Sequence, residues 1–247
     1  LPIWVLRISA MASNKSSSSD SVICQTASFF AVSICFSKIT GMPIQIAKVR
    51  EFKGHTQAIY TMCIGSEPGS FFSAGADGRI AEWSVEKTDG VLFAKPELPV
   101  YSLYVRENIM LSGTSTGQII VFDIADRSMI KTLQFHHSAI FDINCFNNQF
   151  LVVHENGYFS VFDSAFNLLQ DIRISQESLR KILIVGHHIY ISGREGIIWK
   201  MNENYELTEQ IKADDITEFS MALHDESNLL LTGGRSAKLK IWRNSEM

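Results

Sequence analysis

The chain repeats one pattern with a period of about 40 residues, and no other sequence feature constrains its fold as strongly. Each copy has a short apolar run, a turn, and a second apolar run that ends on a large side chain. The closing side chains are separated by 39, 40, 39 and 41 positions; they are Trp83, Phe122, Phe162, Met201 and Trp242. Insertions are almost absent, so each copy is expected to form one structural unit of constant size.

The first copy predicts a β-hairpin. Residues 71–75 and 80–83 are apolar runs joined through Asp77-Gly78, and Asp-Gly favours a tight turn because glycine accepts positive φ. Further runs of strand composition lie upstream of the closing residues, for example residues 58–62 and 100–103. No helical apolar spacing appears between them. Four short strands per repeat predict an all-β fold, a β-propeller of four-stranded antiparallel blades.

The first copy also has a Gly-His pair ending at His55, a turn aspartate at Asp77 and a closing tryptophan at Trp83. With these residues it resembles a WD repeat. The resemblance implies a structural hydrogen-bonded set of His55, Ser73, Asp77 and Trp83 that fixes the outer loop on the blade. Such a set is physically sensible, because buried imidazole, hydroxyl and indole groups each need a partner.

The other copies carry only parts of this signature. His136 stands at the position of His55, but Asn156 replaces the turn aspartate. The fifth copy has Asp214 at the histidine position and Ser236 at the turn position. The assignment of these copies to the same family therefore depends on their spacing.

The resemblance covers residues 43–247, and we expect residues 42–247 to form the propeller with five repeats. Because WD-repeat propellers most often have seven blades, the five repeats are interpreted as a fragment of a seven-bladed ring; a closed five-bladed ring is the alternative. Residues 44–52 are expected to form the outer strand that completes the last blade.

Residues 1–41 are expected to be a non-propeller N-terminal extension, either disordered or translated from upstream of a natural start at Met42. Its apolar stretch, residues 22–36, is shorter than the roughly 20 residues that span a bilayer. An export signal or anchor is the alternative, although a serine-rich segment stands where positive charge is expected.

Charge and cysteine content indicate which partners and which compartment to expect. The chain has 22 basic and 26 acidic residues, a net charge of −4, and no block of like charges. We therefore expect neither nucleic acid nor a membrane as a partner. The four cysteines, Cys24, Cys35, Cys63 and Cys145, form no C-x-x-C pair, which indicates free thiols and a cytoplasmic protein.

Sequence motifs for catalysis or cofactors are lacking. There is no phosphate-binding glycine loop, dinucleotide fingerprint or G-x-S-x-G sequence, so neither an enzyme activity nor a cofactor is predicted. The pairs His136-His137 and His187-His188 are interpreted as strand residues. Neighbouring side chains on a strand point to opposite faces, so neither pair predicts a metal site.

The resemblance further implies a binding rim on the narrow face of the propeller. Its candidate residues differ from one repeat to the next; they are Thr56, Glu97, His137, Glu155, Gln176, Arg194, Asp215 and Arg235. A rim of unlike side chains is suited to an asymmetric partner. Arg194 and Arg235 are the first candidates because arginine is enriched in binding hot spots.

The predicted function is therefore a non-catalytic scaffold or adaptor that binds other proteins or peptides. Two alternatives stay open: an exported β-propeller enzyme or ligand-binding propeller, and a structural propeller whose faces both pack within a larger assembly.

Overall fold

The structure, a computed structural model, describes residues 3–6, 48–87, 89–224 and 229–243, and within them every regular element is a β-strand. The strands in chain order are β1 Ile3–Leu6, β2 Lys48–Phe52, β3 Ile59–Ile64, β4 Ser70–Gly75, β5 Ile80–Ser84, β6 Val91–Ala94, β7 Val100–Arg106, β8 Ile109–Thr114, β9 Gln118–Asp123, β10 Ser128–Gln134, β11 Ile140–Phe146, β12 Gln149–His154, β13 Tyr158–Phe162, β14 Leu168–Arg173, β15 Leu179–Val185, β16 His188–Gly193, β17 Ile197–Met201, β18 Leu207–Lys212, β19 Glu218–His224, β20 Leu229–Gly234 and β21 Leu239–Arg243.

Strands β3 to β21 form five antiparallel sheets, one for each predicted repeat. Four sheets have four strands each, β3–β6, β7–β10, β11–β14 and β15–β18, and the fifth has three, β19–β21. Every strand in these sheets pairs with its neighbour in sequence. The predicted all-β propeller of antiparallel blades is confirmed.

The first strand of each sheet lies on the inside. Strands β3, β7, β11, β15 and β19 follow one another as spatial neighbours, and side chains from all five line one cavity of about 280 Å³. The sheets are therefore blades arranged around a central channel.

The hydrophobic core lies between consecutive blades. One cluster joins Phe72 and Ile80 of the first blade to Met110 and Phe122 of the second, and similar clusters join each later pair. All six residues of β4 are buried because both faces of this strand are covered. The outer strand β14, by contrast, is mostly exposed.

Strand β2 does not pair as the sequence predicts. Residues 44–52 were expected to complete the last blade, but β2 pairs with β1. Phe52 is 1% exposed, and its ring centroid lies 5.4 Å from those of both Phe71 and Trp83 in the first blade. This aromatic contact fixes the position of β2, and within the described residues no strand pairs with the outer edge of β21. The prediction is wrong for residues 48–52, and residues 44–47 lie outside the described residues.

Most of the predicted extension, residues 1–41, lies outside the described residues, with β1 as the exception. Its boundary at residue 41 stays a prediction. In the described part of the chain, no helix has the length and apolar character needed to cross a bilayer.

Candidate functional site

The structure brings His55, Ser73, Asp77 and Trp83 together. The Nδ1 atom of His55 lies 2.9 and 3.0 Å from the two carboxylate oxygens of Asp77. The Oγ atom of Ser73 lies 2.7 Å from His55 Nε2 and accepts a 2.7 Å hydrogen bond from Trp83 Nε1. Since this oxygen accepts from the indole, it can donate its own hydrogen to His55 Nε2. One tautomer of His55, protonated on Nδ1, then satisfies every polar group in the set.

Asp77 is the anchor of this set, and its side chain is only 2% exposed. Burial alone would raise its pKa, but hydrogen bonds from the backbone N–H of Thr56 and from His55 outweigh burial and lower the pKa below its usual value. The carboxylate thereby joins the loop before β3 to the turn between β4 and β5. This contact fixes two loops at the same end of the first blade.

The fourth and fifth copies have other side chains at the positions that correspond to His55 and Asp77. Ser175 and Glu195 occupy the histidine and turn positions of the fourth copy, and the Ser175 hydroxyl donates a 3.0 Å hydrogen bond to Glu195. In the fifth copy, Asp214 forms an ion pair with Lys240 of β21, and this hydrogen-bonded contact lowers the pKa of Asp214. The Ser236 side chain, at the turn position, contributes a further hydrogen bond to Asp214 that acts in the same direction. The two loops are still joined, but by different groups.

The third copy builds a larger network than the sequence predicts. The Nε2 atom of His136 lies 3.0 Å from both carboxylate oxygens of Asp171 on β14. Ser160 donates a 2.7 Å hydrogen bond to the same carboxylate, and His154 Nε2 lies 3.0 Å from Ser160 Oγ. Because Ser160 donates to Asp171, His154 must donate its Nε2–H to Ser160. Its Nδ1 atom is then an acceptor, and it has no partner in the described part of the chain.

This network has the composition of a hydrolase site but not its accessibility. Ser160 is 0% exposed, within the sheet β11–β14. A nucleophile in that position does not reach a substrate. The third-copy network is therefore assigned the same role as the His55 set, which is to fix loops.

The buried His154 predicts a pH-dependent stability. Burial, and to a smaller extent the neighbouring His136, lower the pKa of His154 from 6.5 to about 3. Between these two pH values only the unfolded state binds the proton. The contribution of His154 to the free energy of unfolding is therefore fully present above about pH 6.5, and it falls by about 1.4 kcal/mol for each pH unit below that value. We expect His154→Gln to flatten this slope in urea unfolding measured from pH 7 to pH 4. The exposed His187 supplies the control His187→Gln, and an unchanged slope in His154→Gln would contradict the assignment.

All eight residues of the predicted rim are exposed, and they lie at one end of the blades; they are Thr56, Glu97, His137, Glu155, Gln176, Arg194, Asp215 and Arg235. In every blade, a backbone N–H just after the second strand donates to a carbonyl just before the first strand. Examples are Ala76 to Ala58 at 2.8 Å and Arg235 to Thr217 at 2.9 Å. The structure thus brings the two loops of each blade into contact and presents the rim residues from them. Arg194 also forms an ion pair of 3.3 Å with Glu177.

Sequence reasoning missed five residues that surround the channel beside this rim. The register of each inner strand shifts at its second residue, which marks a β-bulge; these residues are Tyr60, Tyr101, Phe141, Arg180 and Phe219. All five line the central cavity, and a bulge is a known means of redirecting a side chain. We call this set the bulge arc. Its spacing of 41, 40, 39 and 39 positions is the sequence signal that could have revealed it.

The two histidine pairs are not placed as predicted. His136 and His137 lie in the bend after β10, and His187 lies in the turn before β16, so only His188 is a strand residue. His136 binds Asp171, and His137 Nδ1 lies 3.0 Å from Gln134 Nε2. No three histidine, cysteine, aspartate or glutamate side chains within the described ranges are arranged to hold a metal ion.

The two cysteines in the described part of the chain are free thiols. Cys63 is buried, and burial raises the pKa of its thiol to about 12, which keeps it protonated. Cys145 is half-buried and accepts a hydrogen bond from Arg106 at 3.3 Å. Cys24 and Cys35 lie outside the described residues.

Comparison with known protein sequences finds a match for the first repeat and two relatives for longer parts of the chain. Residues 46–84, which contain the whole His55 set, match the family model described as "WD domain, G-beta repeat". Myosin heavy chain kinase C of Dictyostelium discoideum is 24% identical over 100 residues, which are 39% of this chain and 13% of that protein. WD40 repeat-containing protein smu1 of the same organism is 21% identical over 199 residues, 78% of this chain and 32% of that protein. The chain thus spans a third or less of these relatives.

Solved structures share the fold at low sequence identity. A computationally designed protein, Ika8, aligns with a TM-score of 0.67 and 16% identity over 81% of this chain and 65% of its own. A chain in a crystal structure of a mitotic checkpoint complex aligns with a TM-score of 0.63 and 13% identity over 70% of this chain and 57% of its own. At these identities the similarity shows the fold alone.

Proposed function

We propose that this chain, which belongs to the WD-repeat β-propeller family, is a non-catalytic scaffold or adaptor that binds other proteins through the end of the blades that carries the eight rim residues. WD-repeat propellers generally mediate protein–protein interaction. The proposal adds the face and the residues to that general role.

The observation that carries the proposal is the chemistry of the rim. Every rim residue is exposed, and neighbouring blades present different groups: a hydroxyl, carboxylates, an imidazole, an amide and two guanidinium groups. Repeats with equivalent backbones thus present unlike side chains. A partner without internal symmetry can be recognised in one orientation by such a surface.

The hydrogen-bonded sets support the proposal because they fix the loops that carry the rim. Thr56 follows His55 directly, and its backbone N–H donates to Asp77 at 3.1 Å. Gln176 follows Ser175, which is bonded to Glu195. Preorganised loops lose less conformational entropy on binding than mobile loops do. The variation between blades therefore concerns the side chains rather than the loop backbone.

The proposal is tested by capture of proteins from native lysate with the full chain. We expect Arg194→Ala combined with Arg235→Ala to lower the recovery of specific partners at least about fivefold, since arginine side chains at interface centres often contribute 1 kcal/mol or more. The matched control is His187→Ala combined with Glu203→Ala. This exposed pair, 3.1 Å apart, lies at the opposite end of the fourth blade.

Quantitative mass spectrometry of the captured proteins measures the effect. Loss with the rim variant and retention with the control is the expected result. Captures that survive the rim substitutions, or that decrease equally in the control, would argue against this face.

A further inference from the structure

We infer that the bulge arc is an anchoring pocket for a carboxylate side chain in an acidic segment of a partner protein, with Arg180 as the residue that binds it. This inference rests on the proposed function, because it names the chemistry that the same end of the propeller recognises. It concerns the channel mouth, inside the rim.

The bulge arc is a continuous line of ring contacts. The rings of Tyr60 and Tyr101 stack with centroids 4.8 Å apart, and the Tyr101 ring lies 5.4 Å from that of Phe141. The guanidinium carbon of Arg180 lies 3.9 Å from the Phe141 centroid and 5.9 Å from that of Phe219. Each blade thus contributes one side chain to the arc. Four of the five are aromatic, and the fifth carries a positive charge.

Arg180 occupies the position of a cation between two aromatic rings. A cationic ligand in the same pocket would meet a like charge, which disfavours it. Arginine stacked against rings still has N–H groups along its edge, and these match a carboxylate in geometry. The pocket is therefore suited to an anion and not to a cation.

The positive charge of Arg180 is not neutralised by a direct contact. Its Nε–H is buried and has no hydrogen-bond partner among the described residues. The neighbouring Lys181, in contrast, is paired with Asp142 at 3.0 Å, and Asp142 also accepts the backbone N–H of Ile182 at 2.9 Å. Of the two adjacent cations in the cavity, Lys181 has an ion-pair partner, whereas Arg180 has an unsatisfied N–H group among the described residues.

The surroundings of Arg180 combine a loss of water with nearby charges of both signs. Burial lowers the pKa of Arg180, and among the charged groups on this face Glu155 acts in the opposite direction and Arg194 in the same direction. Arg194 is itself paired with Glu177. A guanidinium N–H that has lost water without gaining a hydrogen-bond partner gains interaction energy from an incoming carboxylate.

The rings at the ends of the arc indicate what lies beside the carboxylate. Tyr60 is 43% exposed and Phe219 is 50% exposed, which is a large apolar area to leave in water at a channel mouth. An apolar residue next to the acidic one would cover these rings. The expected ligand is therefore a short segment in which aspartate or glutamate is flanked by phenylalanine or leucine.

The experiment uses the full chain and two labelled peptides, Gly-Ser-Phe-Asp-Glu-Leu-Gly and its counterpart with asparagine and glutamine at the acidic positions. Nitrogen-15 NMR follows the Nε–H signal of Arg180, and fluorescence anisotropy gives the affinity. We expect the acidic peptide to shift this signal saturably and to bind at least about tenfold more tightly than the amide peptide. Arg180→Met should reduce the affinity for the acidic peptide to that for the amide peptide.

Arg173→Met is the matched control, because Arg173 also lies over a ring, that of Tyr158 at 5.7 Å, but on an outer strand. Thermal unfolding verifies that both variants fold. The inference is overturned if the Arg180 signal does not shift saturably, if both peptides bind equally, or if Arg173→Met has the same effect. It is also overturned if a peptide with phosphoserine in place of aspartate binds about tenfold more tightly than the acidic peptide.

Lysate capture separates this inference from the proposed function. Partners that are lost with the rim variant but kept by Arg180→Met would leave the proposed function standing and remove the carboxylate pocket. Partners that are kept by both variants would remove the proposed function, whatever the peptides do.

Discussion

Replacing Trp83 with alanine is expected to lower the free energy of unfolding by about 3–5 kcal/mol, the usual cost of truncating a buried tryptophan. The indole packs 5.4 Å from the ring of Phe52, which fixes β2, and it donates to Ser73. Alanine would leave a cavity in this aromatic cluster and remove one of the two partners of Ser73. Urea unfolding followed by circular dichroism measures the loss.

Two controls separate packing from hydrogen bonding in this experiment. Trp83→Phe keeps most of the ring volume and removes only the N–H, so a loss of about 1 kcal/mol is expected beyond the small change in packing. Trp242→Ala truncates the closing residue of the fifth copy, which also donates to a hydroxyl, that of Thr232 at 3.1 Å. Because Trp242 is only half-buried, its truncation should cost clearly less. Equal losses at the two tryptophans would contradict the role given to the first-blade cluster.

Lys240→Met is expected to lower the free energy of unfolding by about 3 kcal/mol, since removing one partner of a buried ion pair leaves an uncompensated charge. Glu218 is 0% exposed, and Lys240 is its ion-pair partner. The second carboxylate oxygen of Glu218 has no partner among the described residues. The carboxylate therefore depends on Lys240.

A rescue variant tests this explanation. Glu218→Gln in the Lys240→Met background replaces the charge with a neutral amide and should recover at least half of the lost stability in urea unfolding at pH 7. If the double variant is no more stable than Lys240→Met alone, the loss does not arise from the unpaired Glu218 carboxylate and this explanation fails.

The blades could be predicted from the sequence because their signals are local. The turn at Asp77-Gly78 and the constant spacing of the closing residues can be read directly from the sequence, and hairpins join strands that are neighbours in sequence. The pairing of β2 is not local. The apolar side chain of Phe52 indicates that it is buried. Which strand pairs with β2, however, depends on which sheet edge lies near it in the folded chain. The sequence therefore predicted the strand and placed it in the wrong sheet.

The same distinction applies to the candidate site. The His55 set follows a recognisable motif, so its members could be named in advance. Asp171 could not, because it stands on an outer strand 35 positions from His136 and its side chain is that of an ordinary surface residue. The bulge arc depends on the register of five strand pairs, which composition does not encode. The regular spacing of Tyr60, Tyr101 and Phe141 is the sequence signal that indicates equivalent positions in successive blades.

The measurement that tests the central claim most directly is photo-cross-linking with benzoylphenylalanine introduced singly into the full chain. Thr56 and Gln176 represent the rim, and Asn148 and Glu203 represent the opposite end of the blades; all four are exposed. Proteins bound through the rim should form adducts at Thr56 and Gln176 and not at the other two positions. Adducts confined to Asn148 and Glu203, or equal at both ends, would contradict the assignment of this face as the protein-binding surface.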